Sequence, residues 1–86
     1  MSDADREVLV NQLKAKFDAK EGTSEENKAK EYGLWMQITK GDNNTEKPGM
    51  MSWGSTKAAW DEWEKQKGKS RAEAQVAYIK VVSPLV

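Results

Sequence analysis

Two pairs of aromatic residues on either side of a polar loop are the side chains best suited to binding chemistry. Tyr32 and Trp35 precede the loop at helical spacing, and Trp60 and Trp63 follow it. Both residue types combine an apolar ring with a polar tip, which suits a ligand that is part apolar and part polar. We interpret Trp60 and Trp63 as core residues of a short helix. The pattern leaves Tyr32, Trp35 and Tyr78 open between core packing and ligand contact.

The loop itself, residues 41–49, consists of turn-forming and polar residues. Its Asp42, Asn43 and Asn44 could suggest a calcium loop, but that pattern needs Gly at the sixth position and Glu at the twelfth, and both are missing. We predict a structural loop in which the side chain of Asp42 or Asn44 accepts hydrogen bonds from nearby backbone N–H groups. Such a loop sets the geometry of the two helices beside it.

The composition argues against catalysis. The chain has no Cys and no His, which removes thiol nucleophiles, disulfides, the usual zinc ligands and the residue most used for acid–base work near neutral pH. Its carboxylates are scattered among lysines, and none lies in a clear apolar setting. We predict that the protein is not an enzyme and has no catalytic residues, metal ligands or cofactor.

Charge and hydropathy bear on partners and location. Fourteen basic and fourteen acidic residues leave no formal net charge, so no nucleic-acid partner is expected. We interpret the basic run Lys65, Lys67, Lys69 and Arg71 as a solvated corner between helices. No apolar run is longer than four residues and the N-terminus is polar, which predicts neither a membrane span nor a signal peptide. We expect a soluble cytoplasmic protein.

The first helix is predicted over residues 3–20. Leu9, Leu13 and Phe17 recur at intervals of four, as on one face of a helix. Gly22 then provides the stop signal.

A second helix is predicted to begin at Thr23 or Ser24, where Thr23 and Glu26 fit a capping box. Gly41 ends it. Its second half carries two apolar stripes, one of Tyr32, Trp35 and Met36 and the other of Leu34 and Ile38. A helix with two apolar faces touches two different partners.

Two further helices are predicted after the loop, beyond the apolar residues Met50, Met51 and Trp53. The third is short, capped by Ser55 or Thr56, and ends near Lys67 before Gly68. It carries Ala58, Ala59, Trp60 and Trp63.

The fourth helix starts at a capping box formed by Ser70 and Glu73 and ends at Pro84. One of its faces consists of Ala72, Val76 and Ile79, and the other of Ala74, Tyr78 and Val81 or Val82. No segment alternates with the period of a strand. The predicted fold is therefore all-α, a single-domain four-helix bundle.

The motifs in their order and spacing resemble the acyl-CoA-binding protein family. The resemblance covers residues 32–82, well over half of the chain, and the full series is specific although each element alone is weak. The matching residues are Tyr32, Trp35, Gln37, Gly41, Asp42, Asn44, Lys47, Pro48, Gly49, Trp60, Asp61, Trp63, Gly68, Ser70, Ala77, Tyr78 and Ile79. Residues 10–13 are similar to the family's first helix, and the stretch between Leu13 and Tyr32 is several residues longer than usual.

The resemblance implies a four-helix bundle that binds long-chain acyl-CoA thioesters without chemistry. Residues 1–86 would then form a single acyl-CoA-binding domain. The family's pattern places the counterparts of Tyr32, Trp35 and Tyr78 in the ligand site, with lysines of the second and third helices on the phosphates of CoA. The acyl chain would lie along apolar surface near Leu9 and Leu13, beside Met36.

The chain departs from the family at two lysine positions. Met36 and Ala59 stand where the family has lysines, so the ligand-binding set includes these two residues with their charges missing. Lys57 is the nearest basic substitute, and Lys40, Lys28 and Lys30 are weaker candidates.

The functional prediction is a cytosolic carrier of fatty acyl-CoA. We expect a monomer that delivers its ligand transiently to membranes or to acyl-CoA-using enzymes. The alternative, motivated by the missing lysine pair, is a divergent helical module that keeps the fold but mainly mediates protein–protein interaction, because fold does not fix function.

Overall fold

Four α-helices organise the computed structural model, which describes residues 2–47 and 54–86. They are α1 (Asp3–Ala19), α2 (Glu25–Lys40), α3 (Gly54–Lys65) and α4 (Arg71–Val82), followed by a 3₁₀ turn at Ser83–Leu85. No strand occurs within the described residues, and the predicted all-α, four-helix architecture is confirmed. The apolar residues predicted at Met50, Met51 and Trp53 lie outside the described residues.

Serine side chains begin three of the helices. Ser2 accepts from the backbone of Asp5, and Ser24 accepts from that of Asn27. At α4 the predicted capping box is confirmed, because Ser70 Oγ accepts from Glu73 N at 3.2 Å while Glu73 Oε1 accepts from Ser70 N at 3.0 Å. The hydrogen bond that the Glu73 carboxylate accepts from the backbone of Ser70 lowers the pKa of Glu73.

Of the two predicted start residues of α2, Ser24 is the cap, but the capping box predicted between Thr23 and Glu26 does not form. That error arises because neighbouring Ser and Thr residues offer the same cap chemistry one position apart. The predicted cap of α3 is also wrong, because this helix includes Gly54 and Ser55 and Thr56 therefore lie in its first turn.

The core lies between α1, α2 and α4. Each helix contributes residues at helical spacing, and all are less than a tenth exposed: Val10, Leu13 and Phe17 from α1, Leu34 and Ile38 from α2, and Ala74, Tyr78 and Val82 from α4. Of the two predicted faces of α4, the one with Tyr78 is buried, whereas Val76 is 44% exposed.

Helix α3 packs on α2 at Gly33. A Cβ atom at this position would lie 2.5 Å from the carbonyl carbon of Glu62 and 2.7 Å from the backbone nitrogen of Trp63. A Cβ atom at these distances would overlap with the backbone atoms of α3. The absence of a side chain at Gly33 therefore allows the backbones of α2 and α3 to approach this closely. Trp63 is buried beside this contact, as predicted, and Trp60 is only half-buried.

The loop after α2 is held by hydrogen bonds to the rest of the chain. Gly41 ends α2 with a φ of 81°, a left-handed conformation that glycine adopts without strain. Its carbonyl accepts the indole N–H of Trp63 at 2.8 Å, and Thr45 Oγ1 accepts that of Trp60 at 2.8 Å. Both tryptophans thus tie α3 to the loop that precedes it.

Asp42 connects the end of α2 to the turn before α4. Its Oδ1 accepts from Gly68 N at 2.9 Å and from Gln37 Nε2 at 2.8 Å, and these bonds lower the pKa of the Asp42 carboxyl. The prediction that Asp42 accepts from a backbone N–H is confirmed. Asn43 rather than Asn44 caps the loop, with its Oδ1 accepting from Thr45 N at 2.9 Å.

Candidate ligand-binding site

The Tyr32 stripe of α2 lies at the edge of the core, against which Trp35 packs. Tyr32 is 40% exposed and Trp35 and Met36 are half-buried, whereas Leu34 and Ile38 are buried. The prediction of two distinct apolar stripes is therefore confirmed. The stripe with Tyr32 is the one that keeps surface for a ligand.

Trp35 is the best-supported ring of the stripe. Its ring centroid lies 6.0 Å from that of Tyr78 at an interplanar angle of 54°. The ammonium of Lys14, on α1, lies 5.1 Å from the Trp35 ring centroid, within the range of a cation–π interaction. These contacts from α1 and α4 fix the orientation of a half-buried indole that would otherwise have rotamer freedom.

Beneath the stripe lies a buried carboxylate, Glu31, which is 4% exposed. Its Oε2 accepts from the hydroxyl of Tyr78 at 2.7 Å and lies 2.9 Å from Lys14 Nζ. Lys14 also lies 3.2 Å from Asp18. A buried charge is tolerated only when it is paired and hydrogen-bonded, and Glu31 has both kinds of partner.

The Glu31 network corrects the prediction that no carboxylate lies in an apolar setting. Glu31 precedes the core residue Leu34 by three positions, and that spacing could have indicated an inward side chain.

Burial and the neighbouring charge of Glu31 raise the pKa of Tyr78 well above its ordinary value. Tyr78 is therefore a neutral donor over the whole physiological range.

Two predicted ligand contacts are buried in this structure. Tyr78 is 0% exposed and Leu13 is 6% exposed, so neither offers surface to a ligand without movement of its neighbours. Leu9 is half-buried against the core. For Tyr78 the contacts show a supporting role through Trp35 and Glu31, and direct contact stays a prediction.

The residues predicted on α3 lie on the helix that packs against α2. Lys57 is exposed and Ala59 is half-buried. The roles of Lys57, Ala59 and Met36 in binding stay predictions.

A cleft beside Tyr32 was not foreseen from the sequence. It has a volume of about 330 Å³ and lies between the end of α1, the connection to α2 and the first half of α2. Tyr32 and Glu31 line one part of it, and Lys20, Thr23 and Lys28 line another. The cleft thus adjoins the aromatic stripe and brings basic groups near it.

Metal binding and membrane insertion find no support in the described part of the chain. In residues 2–47 and 54–86, no group of three or more acidic, His or Cys side chains is placed to hold a metal ion. None of the helices in this described part is both long and apolar enough to cross a bilayer. Three of the four residues in the basic run, Lys65, Lys67 and Arg71, pair with Glu62, Glu64 and Glu7, respectively, as expected of a solvated corner.

The fold and the site define a small helical protein that carries a partly exposed aromatic stripe on α2. The family model described as Acyl CoA binding protein matches residues 6–82. The chain therefore belongs to the acyl-CoA-binding protein family.

Individual relatives agree with the family match. The chain is 46% identical over 66 residues to "Acyl-CoA-binding domain-containing protein 1" of Oryza sativa subsp. japonica, covering 77% of this chain and 71% of the relative. It is 49% identical over 55 residues to "Acyl-CoA-binding protein homolog" of Drosophila melanogaster, covering 64% of this chain and 63% of that protein. The match to a third relative, from rice, spans 41% of that protein.

A solved structure shares the fold. The crystal structure of Oryza sativa Acyl-CoA-Binding Protein 2 superposes with a TM-score of 0.80 at 31% identity, covering 93% of this chain and 89% of the other. The agreement in fold extends over nearly the whole of both chains.

Proposed function

We propose that this chain binds long-chain fatty acyl-CoA thioesters and carries them in the cytosol as a monomer, without catalysing a reaction. The observation that carries the proposal is the family match over residues 6–82. The exposed stripe supports it, because Tyr32 and Trp35 offer ring faces to an adenine base. Residues 1–86 would act as one acyl-CoA-binding domain.

The ligand would be divided among three surfaces. The adenine lies against Tyr32 and Trp35, and Lys57 holds phosphate oxygens from the side of α3. The acyl chain follows the apolar surface near Leu9 and Met36, reaching Leu13 only if the helices move.

The loss of lysines at Met36 and Ala59 weakens the grip on the nucleotide part. A hydrogen bond to a charged group contributes about 1.5–3 kcal/mol, so two lost bonds weaken binding by about a hundred- to ten-thousand-fold unless other groups replace them. Each buried methylene contributes about 0.8 kcal/mol, and a long tail therefore brings on the order of 10 kcal/mol before ordering costs. Burial of the acyl tail therefore sustains binding although the contacts to the nucleotide part of the ligand are weaker.

The first prediction is saturable binding of a long-chain acyl-CoA in a calorimetric titration. We expect one site per chain and a Kd below about 100 μM, which corresponds to a free energy of about −5.5 kcal/mol. Free CoA and the free fatty acid serve as controls for the two halves of the ligand. Absence of saturable binding below that concentration would refute the proposed function.

The same titration tests Lys57. Lys57→Ala should weaken binding about tenfold and reduce the dependence of affinity on salt, because a cation on a phosphate is removed. Lys80→Ala, an exposed lysine on α4, is the matched control and should bind as the unmodified protein does. Equal affinities for all three proteins would remove Lys57 from the site.

Protein–protein interaction is the second candidate function, and its motive is the pair Met36 and Ala59. If the chain captures a defined protein partner but shows no saturable acyl-CoA binding, this candidate replaces the first.

A further inference from the structure

We propose that the cleft beside Tyr32 binds a phosphate group of the CoA moiety, with Lys20 and Lys28 as its cationic ligands. The inference rests on the proposed function, because it names the groups that hold the anionic part of that ligand. These two lysines lie beside the connection between α1 and α2. They would supply there the positive charge that is missing at Met36 and Ala59.

Position is the first support. Tyr32, at 40% exposure the most accessible ring of the stripe, also lines the cleft. The ribose and phosphates of an adenine nucleotide stacked on Tyr32 would lie within reach of the cleft. The volume of about 330 Å³ exceeds that of a phosphate group several times over, so the group enters with part of its hydration.

The balance of charge in the cleft is the second support. Asp18 and Glu31 also line it, and carboxylates there would repel an anion. Both lie within ion-pair distance of Lys14 Nζ, at 3.2 Å and 2.9 Å, so one ammonium already compensates them in part. Lys20 and Lys28 add two positive charges at the cleft.

Neither lysine is held by a strong partner. Lys20 donates to the backbone carbonyl of Leu85, a neutral acceptor that leaves its charge uncompensated. Lys28 lies 3.5 Å from Glu25, whose side chain is 72% exposed, and an exposed pair of that length contributes little. Both ammonium groups therefore exchange these partners for a phosphate at small cost.

Thr23 gives the third support. Its Oγ1 is buried and has no hydrogen-bond partner among the described residues, although Thr23 lines the cleft. Buried hydroxyl groups are normally bonded, because an unsatisfied one costs free energy. A phosphate oxygen is an acceptor that would satisfy it.

The experiment compares Lys20→Ala, Lys28→Ala and the double variant with Lys67→Ala as the matched control. Lys67 lies 3.5 Å from Glu64, the same distance that separates Lys28 from Glu25, and it does not line the cleft. Each cleft variant should bind a long-chain acyl-CoA about tenfold more weakly, and the double variant still more weakly, as expected for the loss of charge-assisted contacts. Lys67→Ala should keep the affinity of the unmodified protein.

A second ligand, the same thioester lacking the 3′-phosphate, identifies the group. If the cleft takes the 3′-phosphate, the cleft variants and the unmodified protein bind this ligand equally. If it takes the diphosphate, the tenfold loss persists. Either result supports the cleft as a phosphate site.

Two outcomes overturn the inference and are distinguishable. If the unmodified protein binds acyl-CoA and the double variant binds it equally well, the cleft has no role and the proposed function stands. If the unmodified protein shows no binding, both proposals fail. Helical circular dichroism of each variant checks that the fold is intact, and Lys20→Gln with Lys28→Gln repeats the comparison if alanine disturbs it.

Discussion

At the scale of single residues, Glu31 links the core to the candidate site. Its carboxylate accepts from Tyr78 and pairs with Lys14, and these two residues are also the ones that contact the Trp35 ring. Removal of one partner leaves a buried charge without compensation, which destabilises more than removal of the whole set. The geometry of the aromatic stripe therefore depends on a polar contact beneath it.

Tyr78→Phe tests this contact near neutral pH. The hydroxyl donor is lost and Glu31 keeps only Lys14, so we expect the free energy of unfolding to fall by about 1–3 kcal/mol. Tyr32→Phe is the control, because Tyr32 is 40% exposed and has no such buried acceptor. Urea unfolding followed by circular dichroism measures both, and equal effects would show that the Tyr78 hydroxyl is dispensable.

The pKa of Tyr78 adds a prediction at alkaline pH. Its folded pKa is raised above the ordinary value of 10.0, so the unfolded chain releases this proton first as pH rises. The stability linked to Tyr78 is therefore complete below pH 10 and is lost progressively above it. The difference in unfolding free energy between the unmodified protein and Tyr78→Phe should therefore shrink as the pH rises above 10.

At the scale of the helices, the α2–α3 contact depends on Gly33. In an isolated helix Ala would be favoured over Gly by about 1 kcal/mol, but here a Cβ meets the backbone of Glu62 and Trp63. Backbone atoms cannot turn aside as a flexible side chain does. The local propensity and the tertiary contact therefore act in opposite directions.

We expect Gly33→Ala to destabilise the protein by about 1–3 kcal/mol, the usual effect of overpacking. Asn11→Ala, at an exposed position inside α1, is the control and should be neutral or slightly stabilising. Thermal unfolding reports the sign directly. A stabilising effect of Gly33→Ala would mean that α3 moves away from α2 without loss.

Three features show which parts of the helices and their packing can be predicted from the sequence. The capping box of Ser70 and Glu73 was predictable because both bonds join residues three apart. The glycine at position 33 carries no signal until α3 lies against it. Likewise, the spacing of Glu31 from Leu34 could have indicated burial, but its partners Lys14 and Tyr78 are distant in sequence and only the fold brings them together.

The candidate site also has a part that the sequence predicts and a part that it does not. The stripe of Tyr32 and Trp35 follows from helical spacing and from the family resemblance. The burial of Tyr78 and the cleft at Lys20 and Lys28 do not, because both depend on how α1 and its connection pack against α2. Local pattern therefore locates the ligand surface, and tertiary packing decides which groups are accessible on it.

At the scale of the whole molecule, ligand binding and stability are coupled. An 86-residue chain has a small core and a modest free energy of unfolding. A ligand at a hundred times its Kd adds about 2.7 kcal/mol to the folded state. For a domain of this size that corresponds to a rise in Tm of about 10–20 °C.

Scanning calorimetry with and without a long-chain acyl-CoA tests the coupling. The shift should grow with the logarithm of the ligand concentration, and free CoA should give a smaller shift at the same concentration because the tail is absent. A shift of equal size with the free fatty acid would contradict the role assigned to the nucleotide part.

The pairing of α1 with α4 in the core has a consequence during synthesis. Val10, Leu13 and Phe17 share a core with Ala74, Tyr78 and Val82, so α1 lacks this partner on the ribosome until α4 has been translated. The apolar face of α1 stays accessible to chaperones during that interval. We therefore expect the shared core of α1 and α4 to form only after α4 has left the ribosome, well after α1 itself has been made.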